Sequence, residues 1–153
     1  MRKTIIAQKK HRRAFTLIEL VVVMFIMGLL LVVAVPRVGA LYDRQLVEQQ
    51  AQLLEKDLIW LRSEARRSGE KAFFQGASQS YSLTVKDGQG THTQTKALVS
   101  ARMVLETSAR ERQIIFEPIG TAFDKCTVTL RCGAQARTVV VNNLGQIRVG
   151  VPT

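Results

Sequence analysis

Histidine is scarce in this chain: two in 153 residues, His11 near the start and His92 far from it, and cysteine is equally scarce with two. With so few ligating side chains and no cluster around them, no metal site and no cofactor is expected. No nucleophile stands beside a base, no paired acids share an apolar setting, and no glycine-rich loop is shaped to cradle phosphate. Gly88-x-Gly90 is a turn in a polar stretch. These absences exclude a recognisable enzyme, and there is no internal repeat. Acids are missing altogether from residues 1–14, which instead carry Arg2, Lys3, Lys9, Lys10, Arg12 and Arg13. Six of the 22 lysines and arginines therefore sit in that segment. The remainder holds 16 bases against 12 acids, so the net charge of +10 falls to +4 beyond it.

An apolar run comes directly after the basic segment, residues 15–35, whose only strongly polar members among 21 residues are Thr16 and Glu19. As a helix rising about 1.5 Å per residue it reaches roughly 30 Å, enough to cross the hydrocarbon core of a bilayer. Six basic residues immediately before the run place the start of the chain in the cytoplasm and export the rest. An ordinary secretory signal, removed near Val38-Gly39-Ala40, has an apolar core of about 7–15 residues and does not open it with a carboxylate. A plain signal anchor has no use for Glu19 either. A carboxylate within a span costs on the order of a few kcal/mol and calls for a partner. Glu19 either snorkels to lipid headgroups or awaits a cation. Pro36 closes the span and Gly28 lies within it, a pairing that suggests a curved or locally meltable helix; Gly28 is alternatively a close-packing point between helices.

Arg13-Ala14-Phe15-Thr16-Leu17-Ile18-Glu19 resembles the cleavage and methylation motif of type IV prepilins and type II secretion pseudopilins. The resemblance implies that a prepilin peptidase cuts between Ala14 and Phe15 and methylates the new amine of Phe15. The family usually has Gly where this chain has Ala14. It further implies that Glu19 of one subunit pairs with the Phe15 amine of a neighbour in a helical filament, with Thr16 supporting the contact through its hydroxyl. In a low-dielectric bundle such a pair is strong, and leaving either partner alone is costly. The expected organisation is a basic leader over residues 1–14, which is removed, and a transmembrane helix over 15–36. An amphipathic continuation over 37–69 and an exported β domain over 70–153 complete it.

The continuation carries its own period. Val47, Ala51, Leu54, Leu58, Leu61 and Ala65 recur at alternating steps of four and three, while Glu48, Gln49, Gln52, Glu55, Arg62 and Arg66 fill much of the remainder. Gly69 ends the helix. Beyond it, residues 72–75, 80–85, 113–116, 126–130, 137–141 and 146–149 read as strands. Residues 89–95 read as a polar loop, and 96–105 are ambiguous between strand and helix. The expected fold is α+β, a type IV pilin-like long N-terminal helix packed on a small antiparallel sheet. Cys126 and Cys132 pull in two directions. An oxidising compartment favours a bridge, whereas one extended strand would hold the two roughly 20 Å apart, so the expected disulfide needs a bulge or turn within residues 127–130.

Three further stretches resemble the H-type minor pseudopilins and the FimT-like minor pilins. They are Leu61-Arg62-Ser63-Glu64-Ala65-Arg66-Arg67, Phe116-Glu117-Pro118-Ile119-Gly120, and the final hairpin ending Gly145-Gln146-Ile147-Arg148-Val149. The resemblance implies a minor subunit of a type II secretion pseudopilus. It would sit in the bacterial inner membrane as a single-pass protein with a periplasmic domain. Its partners would be the prepilin peptidase, membrane lipid before assembly, and other pseudopilins or pilins afterwards. The alternative is a FimT-like minor pilin of pilus assembly or DNA uptake. There the hairpin resembles Gly-Arg-x-Arg, and this chain lacks one of those arginines. Arg131, Arg137 and Arg148 are then either a weak polyanion contact or solvated charges beside a hairpin, and DNA is the less favoured partner.

Overall fold

The structure is a computed structural model that describes residues 15–88 and 90–150, apart from the side chains of residues 33–38. The basic segment and Ala14 lie outside the described residues. The chain divides into two compact units, Met1–Arg37 and Val38–Thr153. One helix, α1 (Leu17–Ser68), begins in the first unit and ends in the second. Its backbone is helical through Pro36.

The second unit is a helix-and-sheet domain built on the predicted stripe. Val47, Ala51, Leu54, Leu58, Leu61 and Ala65 are all buried. Positions three and four apart fall on one face of a helix, so one side of α1 becomes a continuous apolar wall. Gly69 ends the helix in the left-handed region at φ 71, with its N–H donating to the Ala65 carbonyl at 3.2 Å. The strands after it are β1 (Ala72–Gly76), β2 (Ser80–Asp87), β3 (Gly90–Ala97), β4 (Met103–Thr107), β5 (Gln113–Phe116), β6 (Cys126–Cys132), β7 (Gln135–Val141) and β8 (Ile147–Gly150). They form two four-stranded antiparallel sheets rather than one, ordered β3-β2-β1-β5 and β4-β6-β7-β8. Phe74, Leu83 and Phe116 from the first sheet and Met103, Leu130 and Val139 from the second join the helix stripe in a single core. Each fully buried leucine or phenylalanine there contributes about 1.5–3 kcal/mol.

Strand alternation follows the period of two. In β2, Tyr81, Leu83 and Val85 point inward between half-exposed Ser82 and Thr84. The stretch expected to be a loop is instead β3, which pairs with β2 from Ser80↔Ala97 to Asp87↔Gly90. It is exposed along nearly its whole length. An edge strand that buries neither face has no apolar alternation to betray it, and only its three threonines, favoured in strands, marked it. The ambiguous segment resolves into the end of β3, a turn, and β4.

The expected disulfide is overturned. Cys126 and Cys132 are both free and buried, at opposite ends of β6. Residues 127–130 contain no turn: every residue of β6 pairs in register with β7, from Cys126↔Val141 to Cys132↔Gln135. Six extended steps hold the pair roughly 20 Å apart, far beyond bridging distance. Burial, with Asp124 nearby, pushes the Cys126 thiol up to about 12. Burial and then Asp43 also raise the Cys132 thiol. Neither forms a thiolate readily.

Polar contacts fasten the helix to both sheets. Asp57 accepts from the Tyr81 hydroxyl at 2.6 Å and from Lys96 at 2.6 Å. Gln50, buried, accepts from the Val99 N–H at 3.0 Å. Glu48 holds Arg137 at 2.6 Å. Burial first, and then the hydrogen bond to Asp57, raise the Tyr81 phenol above its ordinary value of 10.0. The fold therefore favours the neutral phenol. Its contribution is complete below pH 10 and is lost as pH rises beyond it. Thermal unfolding of residues 38–153 should show a midpoint that declines above about pH 10. Tyr81→Phe should lose about 1.5 kcal/mol at neutral pH and show a shallower alkaline decline.

Candidate assembly site

At the start of α1 the residues singled out by sequence stand together. The Glu19 N–H donates to the Thr16 hydroxyl at 3.3 Å, and the Leu20 N–H donates to the Thr16 carbonyl at 3.2 Å. Thr16 is thus the N-cap of the helix, and Thr16-x-x-Glu19 has the spacing of a capping box. An acid in the first turn also suits the positive end of the helix dipole. Phe15, Leu17 and Ile18 are exposed, and so is Glu19, whose carboxylate has no partner among the described residues. Phe15 precedes the cap, and Glu19 lies in the first turn of the helix.

From Leu17 onward the apolar residues of this unit are exposed as far as side chains are described, residue 32. Among the described residues no helix is both long and apolar enough to cross a membrane. Residues 17–32 alone extend about 24 Å as a helix, and the apolar sequence continues through residues 33–35.

At the other end of α1, the three stretches that resemble the H-type subunits meet around one side chain. Arg62 donates through Nε to the Gly120 carbonyl at 2.7 Å and through Nη2 to the Leu144 carbonyl at 3.4 Å. Gly120 closes a tight turn by donating to the Glu117 carbonyl at 2.8 Å, and Gly145 does the same to Asn142 at 2.8 Å. The Ala122 N–H ties the loops together through the Asn143 carbonyl at 3.1 Å. Both glycines are left-handed, at φ 87 and 72. A Cβ placed on Gly145 would lie 2.1 Å from the Gly120 carbonyl oxygen. Arg62 is therefore a clamp. In the sequence Arg62 lies on the polar face of the helix, and a single arginine carries no mark of a partner far along the chain.

The basic trio does not form one face. Arg137 lies opposite Leu130, turns to the helix side of its sheet and is held by Glu48. Arg131 lies opposite Ala136 and Arg148 opposite Val140, so both occupy the outer side. They stand roughly 17 Å apart by strand geometry. Arg131 also faces Glu106 at 3.5 Å. The less favoured of the two expectations, a weak polyanion contact of Arg131, Arg137 and Arg148, is thus split by the sheet.

Two family profiles match the sequence: the prokaryotic N-terminal methylation motif over residues 9–35 and the type II transport protein GspH over residues 50–145. No curated protein matches. Among solved structures, the minor pseudopilin EpsH of the Vibrio cholerae type II secretion system superposes with a TM-score of 0.58 at 14% identity, covering 72% of this chain and 96% of that one. The type IV minor pilin FimU of Pseudomonas aeruginosa superposes with a TM-score of 0.56 at 15% identity, covering 72% and 91%. At such identities the likeness is one of fold.

The clamp makes a prediction. Gly69 and Gly145 have nearly the same φ, but nothing lies within 4 Å of a Cβ added at Gly69. Gly69→Ala should cost about 1 kcal/mol, the left-handed penalty alone. Gly145→Ala should cost at least about 2 kcal/mol more, because backbone must move. Urea unfolding of residues 38–153 measures both. All the residues of the clamp fall within residues 50–145, a match to more than half of the sequence, and the chain belongs to the family of type II transport protein GspH.

Proposed function

We infer that this chain works as a minor pseudopilin of a type II secretion system, a mechanical subunit of a short fibre. The observation that carries the reading is the junction of a methylation motif with a GspH domain on one continuous helix. Cleavage between Ala14 and Phe15 removes the basic leader and creates a methylated cationic amine at Phe15. Residues 15–36 hold the subunit in the inner membrane with its start in the cytoplasm and residues 70–153 in the periplasm. Thr16 caps the helix, which leaves the Glu19 carboxylate to meet the Phe15 amine of a neighbour. That pair sets axial register, since an unmatched charge in an apolar bundle is costly. Gly28 and Pro36 give the rod two weak points, Gly28 by its poor helix propensity and Pro36 because it offers no N–H to the preceding turn.

A second reading has its own support in the superposition on FimU: a minor subunit of a type IV pilus. Deleting the gene separates them. Loss of protein secretion with twitching intact supports the first reading, and the reverse supports the second. Mass spectrometry of the mature chain should find methylated Phe15 at its start, and a chain that keeps residues 1–14 would overturn the processing. Glu19→Ala should be cleaved normally yet enter fibres poorly. A bulky residue in place of Ala14 should leave the precursor uncut and outside them.

A further inference from the structure

The outer edges of β5, β4 and β3 are finished differently. β5 is closed, since Phe116 bridges Ala122 and the Phe123 N–H donates to the Ile115 carbonyl at 3.0 Å. β4 is met by the Ser78 carbonyl, which accepts from the Leu105 N–H at 2.8 Å. β3 has no strand beyond it among the described residues. The Leu98 N–H donates to the Gln79 carbonyl at 3.0 Å, next in register after Ser80↔Ala97. Bonded pairs alternate along an antiparallel ladder, so those with β2 fall at Lys96, Gln94 and His92. Thr91, Thr93 and Thr95 therefore turn their N–H and C=O groups outward.

An open edge is ordinarily guarded by a proline, a bulge or a lysine. β3 has no proline, its eight residues pair without a bulge, and its one lysine turns inward to Asp57 at 2.6 Å. What remains is a regular row of donors and acceptors that an extended chain matches. Beside the row, Trp60 of α1 and Leu83 and Val85 of β2 line a cleft of about 300 Å³, with His92 and Gln94 at its margin. His92 lies opposite Val85 and Gln94 opposite Leu83, on the inner face. Thr93 meets the Thr84 hydroxyl at 3.0 Å on the outer one. A strand laid along β3 would thus send alternate side chains toward the cleft. The two carboxylates there are matched within the chain, Glu64 by Arg67 and Asp87 by His92. The segment that fits is extended and uncharged, with an aliphatic residue at the inward position. Two β3 edges pairing with each other would close as a symmetric dimer, for which a helical fibre has no place. The occupant is accordingly an unlike subunit.

We propose that an extended segment of a different subunit of the same fibre adds to β3 as a further strand, bonded to Thr91, Thr93 and Thr95, with one aliphatic side chain in the Trp60 cleft. The proposal rests on the fibre-subunit reading and names the surface that holds the neighbour.

The full-length chain, expressed in its own cells with the secretion system intact, tests it. A photo-reactive p-benzoylphenylalanine replaces Thr95, the cells are irradiated, and the adducts are digested and sequenced by mass spectrometry. The expected adduct joins position 95 to an uncharged segment of another protein that carries its own N-terminal methylation motif. Thr93→Pro deletes one outward N–H and should lower the adduct about tenfold. Thr93→Val keeps that N–H and should leave the adduct unchanged. Trp60→Ala keeps the edge and should lower the adduct about tenfold through the cleft. It decides the matter if Thr93→Pro shifts the thermal midpoint of the purified full-length chain. An adduct with a second copy or with a protein lacking the motif overturns the proposal. So does no adduct, an adduct indifferent to Thr93→Pro or to Trp60→Ala, or an equal loss from Thr93→Val. The start of the mature chain is read by mass from the same cells. No adduct with Phe15 at that start overturns this contact alone, whereas a retained leader overturns the fibre-subunit reading with it.

Discussion

The domain depends on one apolar stripe serving two sheets. Neither four-stranded sheet closes a core against the other alone. Both lay their inward residues on Val47, Ala51, Leu54, Leu58, Leu61 and Ala65 of α1. The two alanines and three leucines of that stripe are wholly buried in the shared core. The stripe is therefore where the helix and the sheets become one folding unit. A loss there would be felt by both sheets together, since packed interiors relax only in part.

Around that stripe the polar contacts divide the labour. Asp57 and Gln50 fix the first sheet through Tyr81, Lys96 and the backbone just past β3 at Val99, and Glu48 fixes the second through Arg137. Arg62 fixes neither sheet directly. It gathers two loops that are distant in sequence, and so brings Phe116-Glu117-Pro118-Ile119-Gly120 and Leu144-Gly145 to the end of the helix. Three short stretches that are each weak as sequence signals gain a common meaning once a single guanidinium is seen to join them.

Much of this was legible in the residues. The stripe of α1, the Gly69 stop and six of the eight strands stem from periods of 3.6 and two, because burial imposes those periods. The cap at Thr16 shares its residues with the methylation motif, so the chemistry was read there before the helix geometry. The features that escaped are those that burial does not write. β3 buries nothing and looked like a loop. Arg62, on the polar face, gave no hint of Gly120 or Leu144. Arg131, Arg137 and Arg148 looked like neighbours, but Arg137 differs in strand parity and turns inward. The cysteines were judged by compartment, when the unbroken pairing of β6 with β7 was the stronger constraint.

The two thiols have a further consequence. Small domains are commonly stapled covalently, yet here the thiols are buried at opposite ends of one strand, with Cys132 donating to Asp43 at 3.6 Å. Maturation then requires neither a thiol oxidase nor an isomerase to sort pairings. The finished fold is indifferent to reductant, and its cohesion is wholly non-covalent.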